Sequence, residues 1–406
     1  MNEFISQSLT LPSGLTLANP IVKAAMEENL AEANRLPGPP LFRLYEQWAQ
    51  GGAGLLITGN VMIDRLAMTG PGGVALEAGS DLEPFKNWAR CVHTKGGKIV
   101  MQINHPGRQV FAKMGGKAWS ASDVPLSMGK HSGLFAKPRA MSETDIQEVI
   151  ERFSVTAWRA EQAGFDGVQI HAAHGYLLAQ FLSPLTNVRQ DRWGGSLENR
   201  ARLLLEVIKA VKQSVSPEFS LSVKLNSADF QRGGFDVKDA KAVIAMLNDM
   251  GMDFIELSGG SYEAPAMQGR SADDRTLARE AYFLEFATQM LDVARMPLMT
   301  TGGITQRATA AAVLASGVSL VGIASALAQT PDLPVRWLQD EYASPVPKAD
   351  FRDKTLSGLA TMAMVRRQLR RMSDGKLPKR QIGPLFSLIT DQLRLARLTR
   401  RYRRAL

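Results

Sequence analysis

The chain has 406 residues, of which 45% are hydrophobic and 21% are charged, the proportions of an ordinary globular protein. No apolar run approaches the roughly 20 residues that a membrane-spanning helix needs, and the N-terminus, MNEFISQSLTL, has neither the basic start nor the long apolar core of a signal peptide. The single cysteine, Cys91, excludes a disulfide within these residues and a cysteine-ligated iron–sulfur cluster. We therefore predict a cytoplasmic enzyme.

The positive charge is concentrated at the end of the chain. The formal net charge is +9, yet residues 366–406 alone contain thirteen Lys or Arg and two Asp, a net of +11. The remaining chain is therefore close to neutral. Since nothing in it resembles a nucleic-acid module, we expect no nucleic-acid partner.

Eight alternations of strand and helix follow a short hairpin that is predicted over residues 9–19. The predicted strands are 21–26, 54–61, 98–103, 167–171, 220–225, 254–258, 297–301 and 319–323. The helices predicted between them are 41–50, 81–95, 142–163, 196–214, 236–250, 279–293 and 305–316. Mostly unbroken apolar strands separated by helices indicate a parallel sheet covered by helices.

Two α/β folds give this local pattern. A doubly wound sheet usually carries a Gly-x-Gly-x-x-Gly turn after its first strand, and this sequence lacks it there. Residues capable of chemistry follow several different strands, as a barrel requires. We therefore predict a (β/α)₈ TIM barrel over residues 1–342, followed by a basic, helical C-terminal extension over residues 343–406.

Two histidines and a tyrosine follow the fourth predicted strand. His171, His174 and Tyr176 form a set of proton donors at the end of a buried strand. A His-x-x-His pair can also bind a metal, but no third ligand lies at a helpful spacing, so we predict no metal site. For either histidine alone, a structural role is the alternative.

The stretch from His171 to Arg200 resembles the old yellow enzyme family of flavin-dependent ene-reductases. The similarity lies in His171-Ala-Ala-His174-Gly-Tyr176, in Phe181-Leu-Ser-Pro and in Arg192-Trp-Gly-Gly-Ser-Leu-Glu-Asn-Arg200. It implies FMN as cofactor and NADH or NADPH as reductant, in the short form of the family without the iron–sulfur and dinucleotide-binding extension. His171 and His174 would then donate to the carbonyl oxygen of an α,β-unsaturated compound, and Tyr176 would protonate its α-carbon.

The resemblance also assigns flavin contacts. Gln102 would bind the pyrimidine ring and Lys224 the N1/O2 edge, where the family more often has arginine; Lys224 keeps the charge and loses the bidentate fork. A solvated lysine is the alternative, although it is disfavoured within the apolar run SLSVKL. Ala25, Met26, Glu27 and Gly59 would lie beside the flavin from the first two strands.

Glu27 departs from the family, which usually has threonine or cysteine beside the flavin O4/N5 edge. A protonated Glu27 would donate to O4, whereas a carboxylate would repel the reduced flavin. Two alternatives remain: Glu28 faces the flavin through a one-residue shift, or Glu27 points to solvent.

The loops after the last two strands are the usual phosphate site of such barrels. Gly302 and Gly303 would let the backbone approach the FMN phosphate, although a tight turn alone is the alternative for these glycines. Ala324 and Ser325 stand where the family generally has Gly-Arg, so we predict weaker FMN binding. Asn104, His105 and Arg108 are assigned either to the pocket rim or to a structural loop.

The resemblance thus implies an FMN-dependent oxidoreductase that transfers hydride from NAD(P)H through flavin N5 to an activated C=C bond. The alternatives are a flavin barrel that oxidises or demethylates a small substrate and a non-catalytic flavin-binding barrel.

In the extension, an apolar stripe predicts a basic amphipathic helix. This stripe contains Leu385, Leu388, Ile389, Leu393 and Ala396. We expect it to dock on the barrel or on a second subunit of a homo-oligomer, with an acidic membrane surface or nucleic acid as the alternatives.

Overall fold

The computed structural model describes residues 3–266, 281–339, 346 and 348–406, and it contains a closed barrel of eight parallel strands. The strands are β1 Ile21–Lys23, β2 Leu55–Ile57, β3 Ile99–Asn104, β4 Gly167–Ala172, β5 Ser220–Asn226, β6 Phe254–Ser258, β7 Leu298–Thr300 and β8 Leu320–Ile323. Each strand pairs with the next along the chain, and β8 pairs with β1. The predicted TIM barrel is confirmed.

Helices follow the strands and cover the outside of the barrel. They are α1 Pro39–Gln50, α2 Glu83–His93, α3 Glu143–Gln162, α4 Leu197–Ser214, α5 Val237–Leu247, α6 Leu284–Met290 and α7 Arg307–Ala315, with the short α8 Ser325–Gln329 and α9 Leu333–Leu338 after β8. A capping box starts α3: the Ser142 hydroxyl accepts from the Asp145 N–H, and the Asp145 carboxylate accepts from the Ser142 N–H.

The first two strands are shorter than predicted. β1 ends at Lys23 rather than at residue 26, and β2 ends at Ile57 rather than at residue 61. The Ala24 N–H still donates to the Ile323 carbonyl at 2.9 Å, after which the chain leaves the sheet. The helix predicted over 279–293 begins at Leu284, and residues 279 and 280 lie outside the described ranges.

The lower part of the barrel interior is apolar. Six strands contribute to one cluster, whose members include Val22, Leu55, Val100, Phe254, Met299 and Leu320. Leu11 and Leu17 of the N-terminal hairpin belong to the same cluster, so the hairpin closes this end. Because one end is filled by side chains, any site inside the barrel must lie at the carboxyl end of the strands.

The extension consists of two helices, α10 Lys354–Ser373 and α11 Pro384–Arg403, which pack against each other and against the barrel. Two side chains of α1 hold the end of α10, since Arg43 Nε donates to the Ser373 carbonyl at 2.7 Å and Gln47 Nε2 to the Met372 carbonyl at 3.1 Å. The extension therefore packs on the barrel. The predicted boundary at residue 342 lies outside the described ranges.

The loops after β1 and β2 receive α11. Arg394 donates to the Asn29 carbonyl at 3.1 Å, Arg401 donates to the Ala31 carbonyl at 3.1 Å, and the Tyr402 hydroxyl donates to the Arg65 carbonyl at 3.0 Å. Those loops lie at the carboxyl end of the barrel, so the extension supports the rim of the candidate site. Among the described residues, no helix combines the length and apolarity needed to cross a bilayer.

The face of α11 that docks is not the one that its apolar stripe indicates. Leu385, Ile389 and Leu393 are 56%, 59% and 56% exposed. The buried face instead carries Asp391, which accepts from Arg366 at 2.6 Å and from Arg370 at 2.7 Å, both on α10. The barrel therefore does not cover these three side chains, because the ion-pair network turns the opposite face of α11 toward α10. Docking of the stripe on a second subunit, the other expected partner, stays a prediction.

Asp391→Asn tests this network. Burial alone would raise the pKa of Asp391, but hydrogen bonds and charge from Arg366 and Arg370 hold it below its usual range. We expect the variant to lose about 2 kcal/mol of unfolding free energy at pH 7, the scale of a charge-assisted hydrogen bond. Because a depressed native pKa contributes its full stability above the unfolded pKa and loses it as the pH falls toward the native pKa, the difference should shrink as the pH falls below about 4.

Urea unfolding at several pH values measures this effect, and Asp374→Asn, an exposed acid at the end of α10, is the matched control. Equal loss of stability in both variants would show that Asp391 does not organise the extension.

Candidate active site

Four buried polar side chains line the upper interior of the barrel, one from each of β3 to β6. Lys224 Nζ donates to Glu256 Oε1 at 2.7 Å, Gln169 Nε2 donates to Glu256 Oε2 at 2.9 Å, and Gln102 Nε2 donates to Gln169 Oε1 at 2.7 Å. Register explains their proximity, since Gln102 lies opposite Gln169, and Lys224 lies opposite Glu256. We call these four residues the polar chain.

The predicted pair Gln102 and Lys224 is thus connected through two residues that sequence reasoning missed. Gln169 and Glu256 each occupy an inward position between two apolar neighbours in their strand. A polar residue at such a position requires a partner, because an unpaired buried charge is costly. That rule, applied to the run Phe-Ile-Glu-Leu-Ser of β6, could have identified Glu256.

His171, His174 and Tyr176 are brought together above the polar chain. The His171 ring lies perpendicular to the other two rings, with centroid distances of 5.0 Å to His174 and 4.9 Å to Tyr176. His174 has a left-handed backbone (φ 60°), and its N–H donates to Asn226 Oδ1 at 3.0 Å, while its Nε2 lies 2.7 Å from the Ser258 hydroxyl. The ends of β5 and β6 therefore hold this loop in a conformation that non-glycine residues rarely adopt.

Both histidines are neutral in this environment. Burial, and then the positive charge of Lys224, lower the pKa of His171 and of His174 well below the ordinary value. A neutral imidazole offers one N–H donor and one acceptor. His171 Nδ1 accepts from the Ala173 N–H at 3.2 Å, which leaves the ring proton on Nε2.

A second tyrosine joins the site. The Tyr176 and Tyr262 hydroxyls lie 3.1 Å apart, and burial is the main cause that raises the pKa of both, so both are protonated at neutral pH. Sequence reasoning missed Tyr262, which follows β6 by four residues. Its loop is anchored where Arg108 donates to Glu263 at 2.5 Å, so Arg108 has a structural role.

The two consecutive glutamates after β1 point to different places. Glu28 is buried and accepts from the Tyr45 hydroxyl at 2.5 Å, with Lys23 Nζ 3.5 Å away. Glu27 accepts from the Thr69 hydroxyl at 2.6 Å, and burial raises the pKa of Glu27. The charge of Glu27 also contributes to the raised pKa of Tyr176, so the two side chains share one region. Because the partners of Glu28 are Tyr45 and Lys23, Glu27 is favoured over Glu28 as the flavin neighbour, and this stays a prediction.

Gly59 and residues 25 and 26 lie beside these glutamates. A Cβ atom at Gly59 would stand 2.1 Å from Glu28 Oε2 and 2.3 Å from the Met26 carbonyl oxygen. Gly59 is therefore required for the loops after β1 and β2 to meet. Ala25, Met26 and Glu27 are partly exposed at this end of the barrel.

The glycines after β7 have left-handed backbones, with φ of 112° at Gly302 and 67° at Gly303. A Cβ atom at Gly303 would lie 2.2 Å from the Tyr282 hydroxyl, and the Tyr282 N–H donates to the Gly302 carbonyl at 3.2 Å. The close contact with Tyr282 is by itself enough to require glycine at position 303, so the phosphate role of these glycines stays a prediction. Ala324 and Ser325 lead from β8 into α8, which packs beneath α10.

One buried amide at the carboxyl end of β3 is left without a protein partner. Asn104 is completely buried, and among the described residues neither its Oδ1 nor its Nδ2 has a hydrogen-bond partner. Strand alternation puts Asn104 on the same inward face as Gln102. A buried polar group without a partner indicates a bound molecule with hydrogen-bonding groups.

Comparisons with known proteins give a consistent result. The family model of the NADH:flavin oxidoreductase / NADH oxidase family matches residues 9–343. The chain is 36% identical to NADH-dependent flavin oxidoreductase iccE of Talaromyces variabilis, over 81% of this chain and 85% of that protein. It is 37% identical to iliE of Neonectria sp. (strain DH2), of which it spans 46%, over 80% of its own length.

Among solved structures, the old yellow enzyme homologue from Zymomonas mobilis matches with a TM-score of 0.72 and 25% identity, over 84% of this chain and 94% of that one. The barrel and the comparisons agree. The chain belongs to the NADH:flavin oxidoreductase / NADH oxidase family, and it is an FMN- and NAD(P)H-dependent oxidoreductase of the old yellow enzyme type.

Proposed function

We propose that this enzyme reduces the activated C=C bond of an α,β-unsaturated carbonyl compound. The observation that carries the proposal is the grouping of two neutral imidazoles and a protonated phenol, His171, His174 and Tyr176, directly above the polar chain. Two donors for one oxygen and a nearby acid are what such a reduction needs.

The residues at the carboxyl end fit FMN. Gln102 and Lys224 would hold the pyrimidine edge, and the unpartnered amide of Asn104 lies on the same face. When bound, FMN supplies the hydride-transfer chemistry. Ala25, Met26, Glu27 and Gly59 would line the ring system. Gly302, Gly303, Ala324 and Ser325 would face the phosphate, with backbone N–H groups in place of an arginine.

Neutral histidines suit the binding of a carbonyl group. Each offers one N–H to the oxygen, and neither brings a positive charge that would have to be desolvated on substrate binding. Hydrogen bonds to this oxygen become stronger as negative charge develops on it, so they stabilise the transition state more than the ground state. We therefore assign His171 and His174 to substrate polarisation.

Tyr176 is assigned as the acid that protonates the α-carbon. Its raised pKa keeps the proton in place until the substrate carbon becomes basic. When Tyr176 gives up this proton, the Tyr262 hydroxyl, 3.1 Å away, can donate to the phenolate oxygen. Tyr262 would thus stabilise the conjugate base of the acid.

Tyr176→Phe is expected to slow enone reduction by about 10²–10⁴-fold while reduction of the flavin by NAD(P)H continues, because only the proton donor is lost. Stopped-flow measurement of the two half-reactions checks this. Native protein and variant should show the same spectrum of bound flavin, and both should release non-covalent FMN on denaturation. Tyr402→Phe in the extension is the matched control. A variant impaired in the NAD(P)H half-reaction would refute the assignment, and native protein that oxidises NAD(P)H without reducing any enone would refute the substrate class.

Glu27 is expected to make the flavin potential depend on pH. Since burial raises the pKa of Glu27, the group is protonated over a wider pH range, and its ionisation at higher pH places negative charge beside the flavin. The potential of the native protein should therefore fall more steeply with rising pH than that of Glu27→Thr. Spectroelectrochemical titration across the pH range measures both slopes, and parallel slopes would rule the effect out.

We also infer that the exposed face of α11 joins two copies of the chain. Leu385, Phe386, Ile389 and Leu393 are each more than half exposed, and adjacent apolar side chains of this size mark an interaction surface. Ile389→Glu should therefore reduce the mass measured by light scattering, whereas Leu134→Glu, 54% exposed elsewhere, should not. A monomeric native protein, or one that sediments with anionic vesicles through this helix, would contradict the inference.

A further inference from the structure

We propose that Glu256 is a positioning residue that sets both the charge and the hydrogen-bonding pattern that the barrel presents to the flavin. It acts through Lys224 and through Gln102, and the inference rests on the flavin contacts proposed above for those two residues. Glu256 has no exposed surface, and both of its carboxylate oxygens are engaged inside the barrel.

The first effect is on charge. A cation beside the N1/O2 edge favours the reduced flavin, which carries negative charge there. Glu256 Oε1 lies 2.7 Å from Lys224 Nζ, so the carboxylate offsets much of the field of that cation. In a buried site such charges are weakly screened. Lys224 should therefore raise the flavin potential less than an unpaired cation would.

The second effect is on orientation. An ionised carboxylate only accepts hydrogen bonds, so Gln169 must turn its Nε2 toward Glu256 Oε2, at 2.9 Å. This leaves Gln169 Oε1 to accept from Gln102 Nε2 at 2.7 Å. Gln102 is then held with its carbonyl oxygen free of this bond and able to accept from a ligand N–H. One carboxylate thus fixes two amides across three strands.

The test is a set of potential measurements on FMN-loaded protein. Glu256→Gln removes the charge, so the reduced flavin should be favoured at least tenfold more than in the native protein, about 30 mV for a two-electron couple. Glu256→Asp retains the charge and should stay nearer the native potential. Lys224→Gln should shift the potential in the opposite direction, and Lys224→Gln/Glu256→Gln, again without net charge, should return toward the native value.

Asp64→Asn is the matched control, because it breaks another lysine–carboxylate pair. The Asp64 carboxylate is 1% exposed and lies 2.8 Å from Lys117 Nζ. It should leave the flavin potential unchanged. A native or lowered potential in Glu256→Gln would overturn the inference and leave the proposed function intact, whereas native protein unable to bind FMN would overturn the proposed function itself.

If Glu256→Gln fails to retain FMN, the flavin potentials of Glu256→Asp and of the double variant test the inference instead. A double variant whose potential follows that of Lys224→Gln alone would overturn the role of Glu256. Visible spectra of bound oxidised FMN give a second readout that does not depend on turnover. The band positions should change in Glu256→Gln and remain native in Asp64→Asn, and the reverse result would contradict the orientation effect.

Discussion

The carboxyl end of this barrel depends on the rule that a charge removed from water must be paired. Two lysines are buried there, and each is matched by a carboxylate: Lys224 by Glu256 inside the barrel, and Lys23 by Glu28 between β1 and α1. Lys23 also donates to the Ile57 carbonyl at 2.7 Å, and burial lowers its pKa to about 8. Each pair joins neighbouring parts of the wall, so the charges that equip the site also hold its strands and loops in place.

The C-terminal extension helps to hold the carboxyl end of the barrel in place. Its helix α11 holds the loop after β1 through Arg394 and Arg401, and that loop carries Glu27. From α10, the charge of Arg366 acts against the burial that raises the pKa of Glu27. The ionisation of a residue at the site therefore depends on the position of a helix that lies more than 300 residues away in the sequence.

What the sequence could predict follows from how local each feature is. His171, His174 and Tyr176 are neighbours in the chain at a strand end, so their grouping could be predicted before any fold was known. Gln169, Glu256 and Tyr262 could not be placed in the same way, because they meet only through the register of strands some 90 residues apart. Helical periodicity located α11, but it could not show which face packs, since the partners of Asp391 are on another helix.

Lys224 links the two halves of the proposed chemistry. Its charge helps keep His171 and His174 neutral, and the same ammonium group would face the flavin. If Glu256 cancelled the charge of Lys224 completely, the lysine would no longer help keep the histidines neutral. An unpaired Lys224 would act more strongly on the histidines and on the flavin, but its desolvation would cost much free energy. The geometry avoids both extremes, since Glu256 on β6 and His171 on β4 lie on opposite sides of Lys224. The fields of two opposite charges cancel most completely at points far from the pair. The lysine can therefore still act on its nearest neighbours, while the pair as a whole is tolerated inside the barrel.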